Sequence, residues 1–464
     1  MKRTIKVALA VVVFALGMLL MISCSEKTDD SGVISAAINE KDRLVVAFAD
    51  GRIETVAEIV DGDITVPEDA EIKVEVSSRG FWVIDGKKTS IKAKASNGEF
   101  IKTNLNDFEF TLKDGTYSVK AGENFNGENI IFPENYRGVP VTEIESGAFY
   151  NTKQLKSVII PNSVKTLDKR CFEGCSNLSA VYLGEGVEKI YEDAFKNCEE
   201  LSRIVIGKNI ETIFDTAFLN CEKLEFVNIN NIVKWCNVLL NAQPFNVQVE
   251  KYTGSPFAYG ADLYQYGKKV ENFVLPSEPL YVRNSIFENC TSIKTLTVPS
   301  ISAIGGNSFR GCTSLTDVKI ERLDSFGEGL FENCTALENV ELGENITNIP
   351  PNAFKGCVKL KNINFPETVF AISDSAFEDC DSLESVTLAK NIMVVDNDAF
   401  RGCDALKTVT FGEMLKIVNV YAFLDCNSLS TVNYLGSEEQ WNGLAIEEGN
   451  EPILAAKKVF NYKE

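Results

Sequence analysis

The stretch of sequence that decides the fold is residues 172–195, FEGCSNLSAVYLGEGVEKIYEDAF. The Phe at each end belongs to a series in which Phe recurs every 22 or 23 residues, with one longer interval. The members of the series are Phe149, Phe172, Phe195, Phe218, Phe287, Phe309, Phe331, Phe354, Phe377, Phe400 and Phe423. A period of this length is typical of solenoids, in which each repeat packs on the next and none is stable alone. We therefore expect a stack of coils that bury continuous columns of side chains.

Each coil contains one predicted strand. In the quoted coil, Leu178-x-x-Val181-x-Leu183 ends in an alternating segment, which indicates a short strand with one buried face. Asp or Ser often precedes the Phe, as a cap of a short helical turn does. A residue that predicts a turn often follows the strand, at Pro161, Gly184, Gly207, Pro276, Pro299, Gly343, Pro366 and Gly412. The sequence thus predicts a repeat solenoid of short parallel strands and short helical turns, with 22–23 residues per coil.

A second column contains only Gly, Asn and Asp. It lies two residues after the Phe and comprises Asn151, Gly174, Asn197, Asn220, Asn289, Gly311, Asn333, Gly356, Asp379, Gly402 and Asp425. These are the residues that most readily adopt a positive φ angle. The column therefore predicts a left-handed residue that ends each helical turn.

The next column is almost entirely Cys, at Cys175, Cys198, Cys221, Cys290, Cys312, Cys334, Cys357, Cys380, Cys403 and Cys426. A chain of metal or redox sites is one interpretation. The favoured one is a column of small buried thiols, because Thr152 fills the same position in the first coil and no C-x-x-C motif occurs. Cys171 and Cys236 lie outside the column, and whether they pair is left open.

The consensus A-F-x-x-C-x-x-L-x-x-V-x-L-P-x-x-V-x-x-I resembles the BspA-type leucine-rich repeats of bacterial surface proteins. The resemblance covers about residues 129–436. It implies a curved or twisted solenoid on a surface protein that is often linked to adhesion. The family has no shared catalytic motif, so the resemblance implies no active-site residue.

Residues 230–272 interrupt the period and are rich in aromatic residues. Packing of this long segment onto the solenoid is favoured over exposure for glycan or peptide binding. The segment begins with Trp235-x-x-Val238, which is echoed by Trp441-x-x-Leu444 near the end of the chain. We therefore expect residues 437–464 to form a C-terminal cap. The aromatic residues of the interruption are Trp235, Phe245, Tyr252, Phe257, Tyr259, Tyr264 and Tyr266.

Residues 33–128 contain no repeat and read as a small all-β region. Three pairs of strand-like segments flank Asp50-Gly51, Asp85-Gly86 and Asp114-Gly115, the dipeptides typical of hairpin turns. We expect three hairpins that hold the solenoid away from a membrane.

Residues 1–23 resemble a bacterial lipoprotein signal peptide. Lys2, Arg3 and Lys6 precede an apolar stretch that is short for a membrane span, and Met21-Ile22-Ser23-Cys24 resembles a lipobox. By that resemblance Cys24 is the lipid attachment site, residues 24–32 are a polar tether, and the protein is exported and anchored at the cell surface. An ordinary secretory signal with an unrelated Cys is the alternative.

Composition excludes several classes of function. The chain of 464 residues contains no His, which excludes Ser-His-Asp triads, Cys-His pairs and imidazole metal sites. The net charge of −20 argues against nucleic acid and against anionic lipid as partners. No P-loop or G-x-G-x-x-G motif occurs, and no carboxylate falls in a buried apolar context. We expect no cofactor, no metal and no membrane contact beyond the lipid anchor.

One column of outward-facing residues predicts a ligand-binding surface. The residue between Val and Leu of each strand points away from the core, and in three successive coils it is Ile159, Tyr182 and Val205. Arg203 and Phe226 lie beside them. These five residues, the front strip, have the composition of a binding hot spot if exposed. Coverage by the N-terminal region or by the interruption is the alternative.

Three functions are compatible with these observations. The first is a non-catalytic lipoprotein whose repeat sheet binds an extracellular protein or glycan. The second is a spacer or scaffold of the cell envelope, which predicts that Tyr182 and Phe226 are covered within the fold. The third and most remote is a glycosidase that uses paired carboxylates.

Overall fold

The structure is a computed structural model that describes residues 33–38, 43–48, 52–60, 63–65, 74–76, 81–84, 87–93, 103–240, 254–278 and 281–463. The predicted signal peptide, Cys24 and the tether lie outside the described residues. The described chain forms a parallel β-solenoid with a small antiparallel region at its N-terminal side, as the sequence predicts.

The Leu-x-x-Val-x-Leu segments form the wider of two parallel sheets, the front sheet, which the structure divides at residue 270. The first part pairs in the order Asn129–Ile131, Ser157–Ile160, Ala180–Leu183, Arg203–Ile206, Phe226–Ile229 and Asp262–Gln265, and ends with Lys268–Lys269. The second part contains Asn272–Val274, Thr295–Ile304, Asp317–Phe326, Asn339–Glu341, Ser385–Thr387, Thr408–Phe411, Thr431–Tyr434 and Lys457–Phe460. Bridges at Asn364 connect Asn339–Glu341 to Ser385–Thr387.

A second, narrower sheet, the side sheet, forms where Val187, Ile190 and their equivalents return to the core. Its first part includes Val139–Ile144 (with Asn135–Tyr136 on its edge), Thr166–Leu167, Lys189–Ile190, Thr212–Ile213 and Leu239–Leu240. Its second part includes Asn348–Ile349, Ala371–Ile372, Val394–Val395, Ile417–Val418 and Ala445–Ile446. Tyr281–Val282 pairs with the end of Thr295–Ile304.

The third face of the solenoid consists of stacked single turns, at the positions where the sequence predicts short helical turns. The chain around each Phe forms hydrogen-bonded turns, such as Cys175 N–H to Phe172 O at 3.1 Å, but no helix. The predicted left-handed column is confirmed, because all eleven of its residues have φ between 57° and 74°.

A second left-handed column, four residues earlier in each coil, was not predicted. Its members are Gly147, Arg170, Asp193, Thr216, Ser285, Asn307, Gly329, Asn352, Ser375, Asp398 and Tyr421. The two left-handed residues bracket the Phe and align alternate amides with the next coil. Arg170, Phe172 and Gly174 donate to Glu192, Ala194 and Lys196 at 3.0, 2.8 and 2.8 Å. The turns are therefore hydrogen-bonded from coil to coil much as the strands are.

The core is one continuous column of apolar side chains from Phe108 to Ala456. Phe rings of adjacent coils stack nearly parallel, as for Phe377 and Phe400, whose ring centroids lie 5.2 Å apart with planes 5° from parallel. The column continues through the interruption, where Phe257 is buried between Trp235 and Phe287.

The two coils of 22 residues differ in shape from those of 23. In a 23-residue coil a turn separates the two strands, as at Val187 N–H to Gly184 O. The 22-residue coils lack one residue at this corner, and Thr295–Ile304 and Asp317–Phe326 each run as one ten-residue strand across both sheets. Pro299, predicted to turn the chain, therefore lies inside a strand.

The first two predicted hairpins form a small unit of two antiparallel sheets. One sheet contains β1 (Val33–Ile38), β2 (Arg43–Phe48), β3 (Ile53–Val60) and β4 (Asp63–Thr65), and the other contains β5 (Val74–Val76), β6 (Phe81–Ile84) and β7 (Lys87–Lys92). Both sheets contribute to one core that includes Leu44 and Trp82. A short 3₁₀ helix, Leu105–Asp107, follows.

The third predicted hairpin belongs to the solenoid, so the expected boundary at residue 129 is too late. Its strands are β8 (Phe108–Lys113) and β9 (Thr116–Ala121), and β9 pairs in parallel with Val139–Ile144. Phe108 packs against Phe132 and Phe149 and closes the N-terminal end of the core.

Both Trp-containing elements begin with a short helix. Ile232–Trp235 is followed by the first part's last side-sheet strand, and Glu438–Asn442 by Ala445–Ile446, Glu451–Ala455 and Lys457–Phe460. Trp441 packs against Phe411 and Tyr434 near the C-terminal end of the core. Residues 437–460 thus add the final strand to each sheet as well as closing the core.

We predict that Phe377→Ala destabilises the protein by about 3–5 kcal/mol, because it removes a fully buried ring from the stack. Phe370→Ala, in the same coil, is the control. Phe370 is 44% exposed, and its replacement should change the free energy of unfolding by less than about 0.5 kcal/mol. Urea unfolding of both variants measures the difference, and equal effects would contradict the stacked-Phe account.

Candidate binding surfaces

The structure brings the five residues of the front strip together. Ile159, Tyr182 and Val205 occupy the same register position in adjacent parallel strands, and Arg203 lies in register with Phe226. Adjacent strands are about 4.8 Å apart, so these side chains form a continuous surface on the front sheet. The predicted arrangement along the sheet is therefore correct.

The expectation that this strip is exposed is wrong. Ile159 and Val205 are 0% exposed, Tyr182 is 1% exposed and Phe226 is 6% exposed. The sheet β1–β4 covers them, and Ala37, Val45 and Ala47 share one apolar cluster with the strip. The physical reason is the one that made the strip a candidate, since a contiguous apolar surface gains free energy when it is removed from water. Here the chain itself provides the cover.

The sequence of β2 contains a signal for this coverage. Residues 44–48 are a continuous apolar run, and such a run indicates a strand buried on both faces. In the structure Leu44 and Val46 face the core of the N-terminal unit, whereas Val45 and Ala47 face the solenoid. A strand with two buried faces requires a second surface against its outer side.

Arg203 and Phe226 lie at the edge of the covered strip. The Arg203 guanidinium is 4.7 Å from the centroid of the Phe226 ring, a cation–π contact. Tyr264 from the interruption also packs against Phe226, and the centroids of these two rings are 4.0 Å apart. The interruption therefore packs on the solenoid here, as was favoured.

The other aromatic residues of the interruption that the structure describes also pack within the fold, with one exception. Phe257 is fully buried, and the Tyr259 hydroxyl accepts a hydrogen bond from the Asn220 amide at 2.8 Å. Tyr266 is 60% exposed at the tip of a short hairpin. Phe245 and Tyr252 lie outside the described residues.

Beyond residue 270 the outer face of the front sheet is open and polar. We call this surface the open face. Its outward-facing residues are exposed or half-buried, and they are Asn272, Val274, Thr295, Thr297, Asp317, Lys319, Asn339, Glu341, Asn362, Asn364, Ser385 and Thr387. Neighbours hydrogen-bond along it, with Thr295 Oγ1 donating to Asn272 Oδ1 at 2.9 Å and Asn339 Nδ2 to Asp317 Oδ1 at 2.8 Å. The last rows differ, because Thr410 and Asn433 are buried.

An exposed apolar surface lies on the side sheet, at positions for which the sequence predicts no binding role. We call it the side strip; its members are Phe370, Ala371, Met393, Val394, Ile417 and Ala445. Phe370 and Met393, each directly before a strand, are 44% and 38% exposed. The signal in the sequence is the outward position of the side-sheet strands, which is polar in most of the first part and apolar in these four coils.

The favoured structural interpretation of the Cys column is confirmed. The twelve cysteines that the structure describes are all buried and unpaired, Cys171 and Cys236 among them. In nine coils the thiol donates to the carbonyl oxygen of the Phe one coil earlier, with Sγ–O distances from 3.0 Å at Cys175 to 3.4 Å at Cys312. A small apolar side chain with one weak donor fits this position, because it fills the space and also satisfies a buried carbonyl.

Burial also governs the acid–base chemistry of the thiols. Desolvation raises the pKa of Cys175, Cys221, Cys334 and Cys426 to about 12. The thiolate is the form that binds metals and attacks electrophiles, and it is scarce at neutral pH when the pKa is raised. Within the described parts of the chain, no group of three or more Cys, Asp and Glu residues could hold a metal ion.

Three carboxylates, on Glu173, Asp215 and Glu288, depart from the expectation that none is buried. Glu288 is 8% exposed, and burial raises the pKa of its carboxyl group. Arg310 lies 3.8 Å from Glu288 and 3.4 Å from Glu332 in the next coil. The two carboxylates are thus bridged by one guanidinium, as in an ion-pair network between coils.

A search of the described residues for membrane-spanning helices finds none that is long and apolar enough.

The stacked parallel strands, Phe columns and repeated turns define a leucine-rich repeat solenoid. A family model described as the BspA type leucine-rich repeat region, with 6 copies, matches residues 117–237, 260–381 and 324–446. These matches cover more than half of the chain, and the protein belongs to the BspA-type leucine-rich repeat family.

Several solved structures are similar. A leucine-rich repeat protein from Bacteroides ovatus is 23% identical, with 78% of this chain and 100% of that chain covered and a TM-score of 0.49. A leucine-rich cell surface protein from Faecalibacterium prausnitzii is 21% identical, with coverages of 76% and 99% and a TM-score of 0.32. The pneumococcal vaccine antigen PcpA is 18% identical, with coverages of 78% and 97% and a TM-score of 0.44. A search of the curated proteins finds no match.

The raised thiol pKa values predict a loss of stability at alkaline pH. An unfolded thiol ionises near pH 8.5, whereas the folded thiols hold their protons to about pH 12. Unfolding therefore releases protons above pH 8.5, and the stability present below that pH is lost as the pH rises toward 12. Each thiol contributes roughly 1.4 kcal/mol per pH unit in this window.

Urea unfolding between pH 7.5 and 10 tests this prediction. A variant with Cys334→Ala and Cys357→Ala should show a shallower decline by roughly 3 kcal/mol per pH unit, because two thiols no longer titrate. Lys and Tyr groups titrate alike in both proteins and cancel in the comparison. Parallel declines would contradict the prediction.

We also predict that Tyr182→Ala loosens the N-terminal unit. The change removes the largest side chain under the sheet β1–β4 and should lower the free energy of unfolding by about 3 kcal/mol. Limited proteolysis should then cleave between residues 33 and 103 faster than in the wild type. Thr387→Ala is the matched control, since Thr387 occupies the equivalent outward position in an uncovered coil. Cleavage that is unchanged in Tyr182→Ala would contradict the observed coverage.

Proposed function

We propose that this protein is an exported, lipid-anchored surface protein that binds an extracellular protein or glycan without catalysis. The observation that carries the proposal is the open face of the front sheet. From Asn272 to Thr387 that face presents exposed or half-buried Thr, Asn, Ser, Asp, Glu and Lys side chains on a hydrogen-bonded sheet.

The chemistry of the open face suits a polar partner. Hydroxyl, amide and carboxylate groups supply both donors and acceptors at a regular spacing of about 4.8 Å between rows. Side chains that already hydrogen-bond to each other, such as Asn339 and Asp317, are partly ordered before binding. A rigid, pre-ordered surface loses little conformational entropy when a partner binds.

The N-terminal segment and the family support the same proposal. Residues 1–24 resemble a lipoprotein signal that ends at Cys24, the proposed site of lipid attachment. The family, by the resemblance described above, consists of bacterial surface proteins. A leucine-rich repeat fold also presents side chains on a continuous sheet, which suits recognition of a large partner.

An envelope spacer or scaffold is the second candidate, and one observation favours it. That hypothesis expects Tyr182 and Phe226 to be covered within the fold, and they are 1% and 6% exposed. The covered front strip contributes to the attachment of the N-terminal unit. The two candidates differ in what they predict for the open face, because a scaffold needs no partner there.

A pair of double variants tests the open face. Asn364→Arg with Thr387→Arg places two bulky cations in adjacent rows of that face. Thr313→Arg with Thr335→Arg adds the same charge to exposed positions on the turns of two adjacent coils. We expect the first variant to lose at least tenfold in affinity for a partner found with a glycan array and a panel of extracellular matrix proteins. The second should bind like the wild type, and both should keep the wild-type melting temperature.

Equal binding by both variants would show that the partner binds another face. No binding to either panel would favour the scaffold.

Protease treatment of intact and lysed cells tests the proposed location at the cell surface. Digestion on intact cells supports surface display, whereas protection until lysis contradicts it and supports a periplasmic scaffold.

A further inference from the structure

We infer that the side strip binds a short apolar segment of another protein, flanked by Lys or Arg residues. This surface lies on the side sheet and not on the open face of the front sheet. The inference is therefore independent of the proposed function.

The side strip is built as four adjacent rows. Ala371 is in register with Val394, Val394 with Ile417, and Ile417 with Ala445. Phe370 immediately precedes the first row, and the Met393 amide donates to the Phe370 carbonyl at 2.9 Å. Rows about 4.8 Å apart give an apolar surface of roughly 14 Å in length on a rigid sheet.

In the first part of the solenoid, the outward positions of the side-sheet strands are mostly polar or charged. There the outward residues of the side-sheet strands include Glu143, Thr166 and Lys189, which are exposed or half-buried, and Lys165 forms a 2.9 Å ion pair with Glu188 beside them. A solvated side sheet is therefore compatible with the fold. The apolar side chains of the last coils are not needed to build the solenoid, because the inward residues Ile372, Val395 and Val418 already supply the core.

The same molecule shows how an apolar surface on a solenoid sheet can be removed from water. The front strip is also an apolar column on a solenoid sheet, and two extended strands with small apolar side chains cover it, through Ala37 on β1 and Val45 and Ala47 on β2. The N-terminal unit that provides these strands already occupies the front of the first part. Exposed contiguous apolar surface of this kind is typical of protein-binding sites.

The charges around the side strip indicate the partner's chemistry. Seven carboxylates lie within four residues of a side-strip member in the sequence, against two ammonium groups, at Lys390 and Lys416; the seven are Glu367, Asp374, Asp396, Asp398, Glu413, Glu447 and Glu448. Lys390 is already 3.5 Å from Glu367.

An acidic border favours a basic partner and disfavours two other occupants. A second copy of this chain would bring carboxylates against carboxylates, and the whole chain carries a net charge of −20. An anionic membrane surface is repelled for the same reason. Charge complementarity therefore points to an apolar segment with basic residues at its ends.

Peptide titration tests the inference. The probe is a synthetic nine-residue peptide with five apolar residues between two Lys pairs, and its counterpart has Glu pairs in their place. We expect the chain from residue 25 onward to bind the Lys peptide at least tenfold more tightly than the Glu peptide. Phe370→Ser with Met393→Ser should weaken binding of the Lys peptide at least tenfold.

Two controls separate the side strip from the rest of the surface. Leu112→Ser with Leu239→Ser removes two exposed apolar residues from the first part of the side sheet and should leave affinity unchanged. The open-face variant Asn364→Arg with Thr387→Arg should also bind the peptide like the wild type, so failure of the proposed function remains distinguishable. Both Ser variants replace exposed side chains and should keep the wild-type melting temperature.

Three outcomes would overturn the inference. Equal affinity of the Lys peptide for the wild type and for Phe370→Ser with Met393→Ser would show that acidic surface alone attracts it. Failure of the Lys peptide to bind at millimolar concentration would contradict the proposed site. A dimer in sedimentation experiments that Phe370→Ser with Met393→Ser abolishes would assign the surface to a second copy.

Discussion

The structure depends on the pair of left-handed residues that bracket the Phe in every coil. Reversal of the chain within a few residues normally leaves amide groups without partners, and a buried amide without a partner is costly. Here the left-handed residues rotate alternate amides toward the next coil, as Arg170 and Gly174 do toward Glu192 and Lys196. The Phe between them then points into the core at the same height in each coil, and the thiol that follows satisfies a carbonyl of the coil before. The Phe stack, the Cys column and the registers of both sheets all require this turn to be repeated.

A solenoid built this way leaves half of each strand free. The inward positions must be apolar because they form one continuous core, whereas the outward positions are not constrained by the stack. The protein uses that freedom differently along its length. On the front sheet the outward column is apolar and covered up to Phe226, and it is open and polar, apart from Val274, between Asn272 and Thr387. On the side sheet the order is the reverse. Its outward positions are mostly polar in the first part and apolar in the last four coils.

Much of the fold could be predicted from the sequence, because its determinants repeat. The Phe period, the alternating strand and the Gly/Asn/Asp column each occur in many coils. Apolar periodicity accounts for the first two, and local backbone preference accounts for the third. The second left-handed column escaped prediction because Arg170, Thr216 and Tyr421 occupy it beside Gly and Asn. At those positions the hydrogen bonds to neighbouring coils outweigh the residue's own preference. The straight path of Thr295–Ile304 through Pro299 has a similar origin, since the loss of one residue from the coil removes the corner.

The sequence by itself determined the class of fold, the core and the structural role of the cysteines. Each of these follows from neighbours within one coil or from the same position in the next coil. The tertiary structure alone decided which outward columns meet water. Ile159, Tyr182, Val205 and Phe226 are buried because β1 and β2, more than 100 residues earlier in the chain, lie on them. No comparable element of the described chain covers Phe370 and Met393, which stay exposed. The repeat pattern specifies that a side chain points outward, but what lies against it depends on a contact between distant segments.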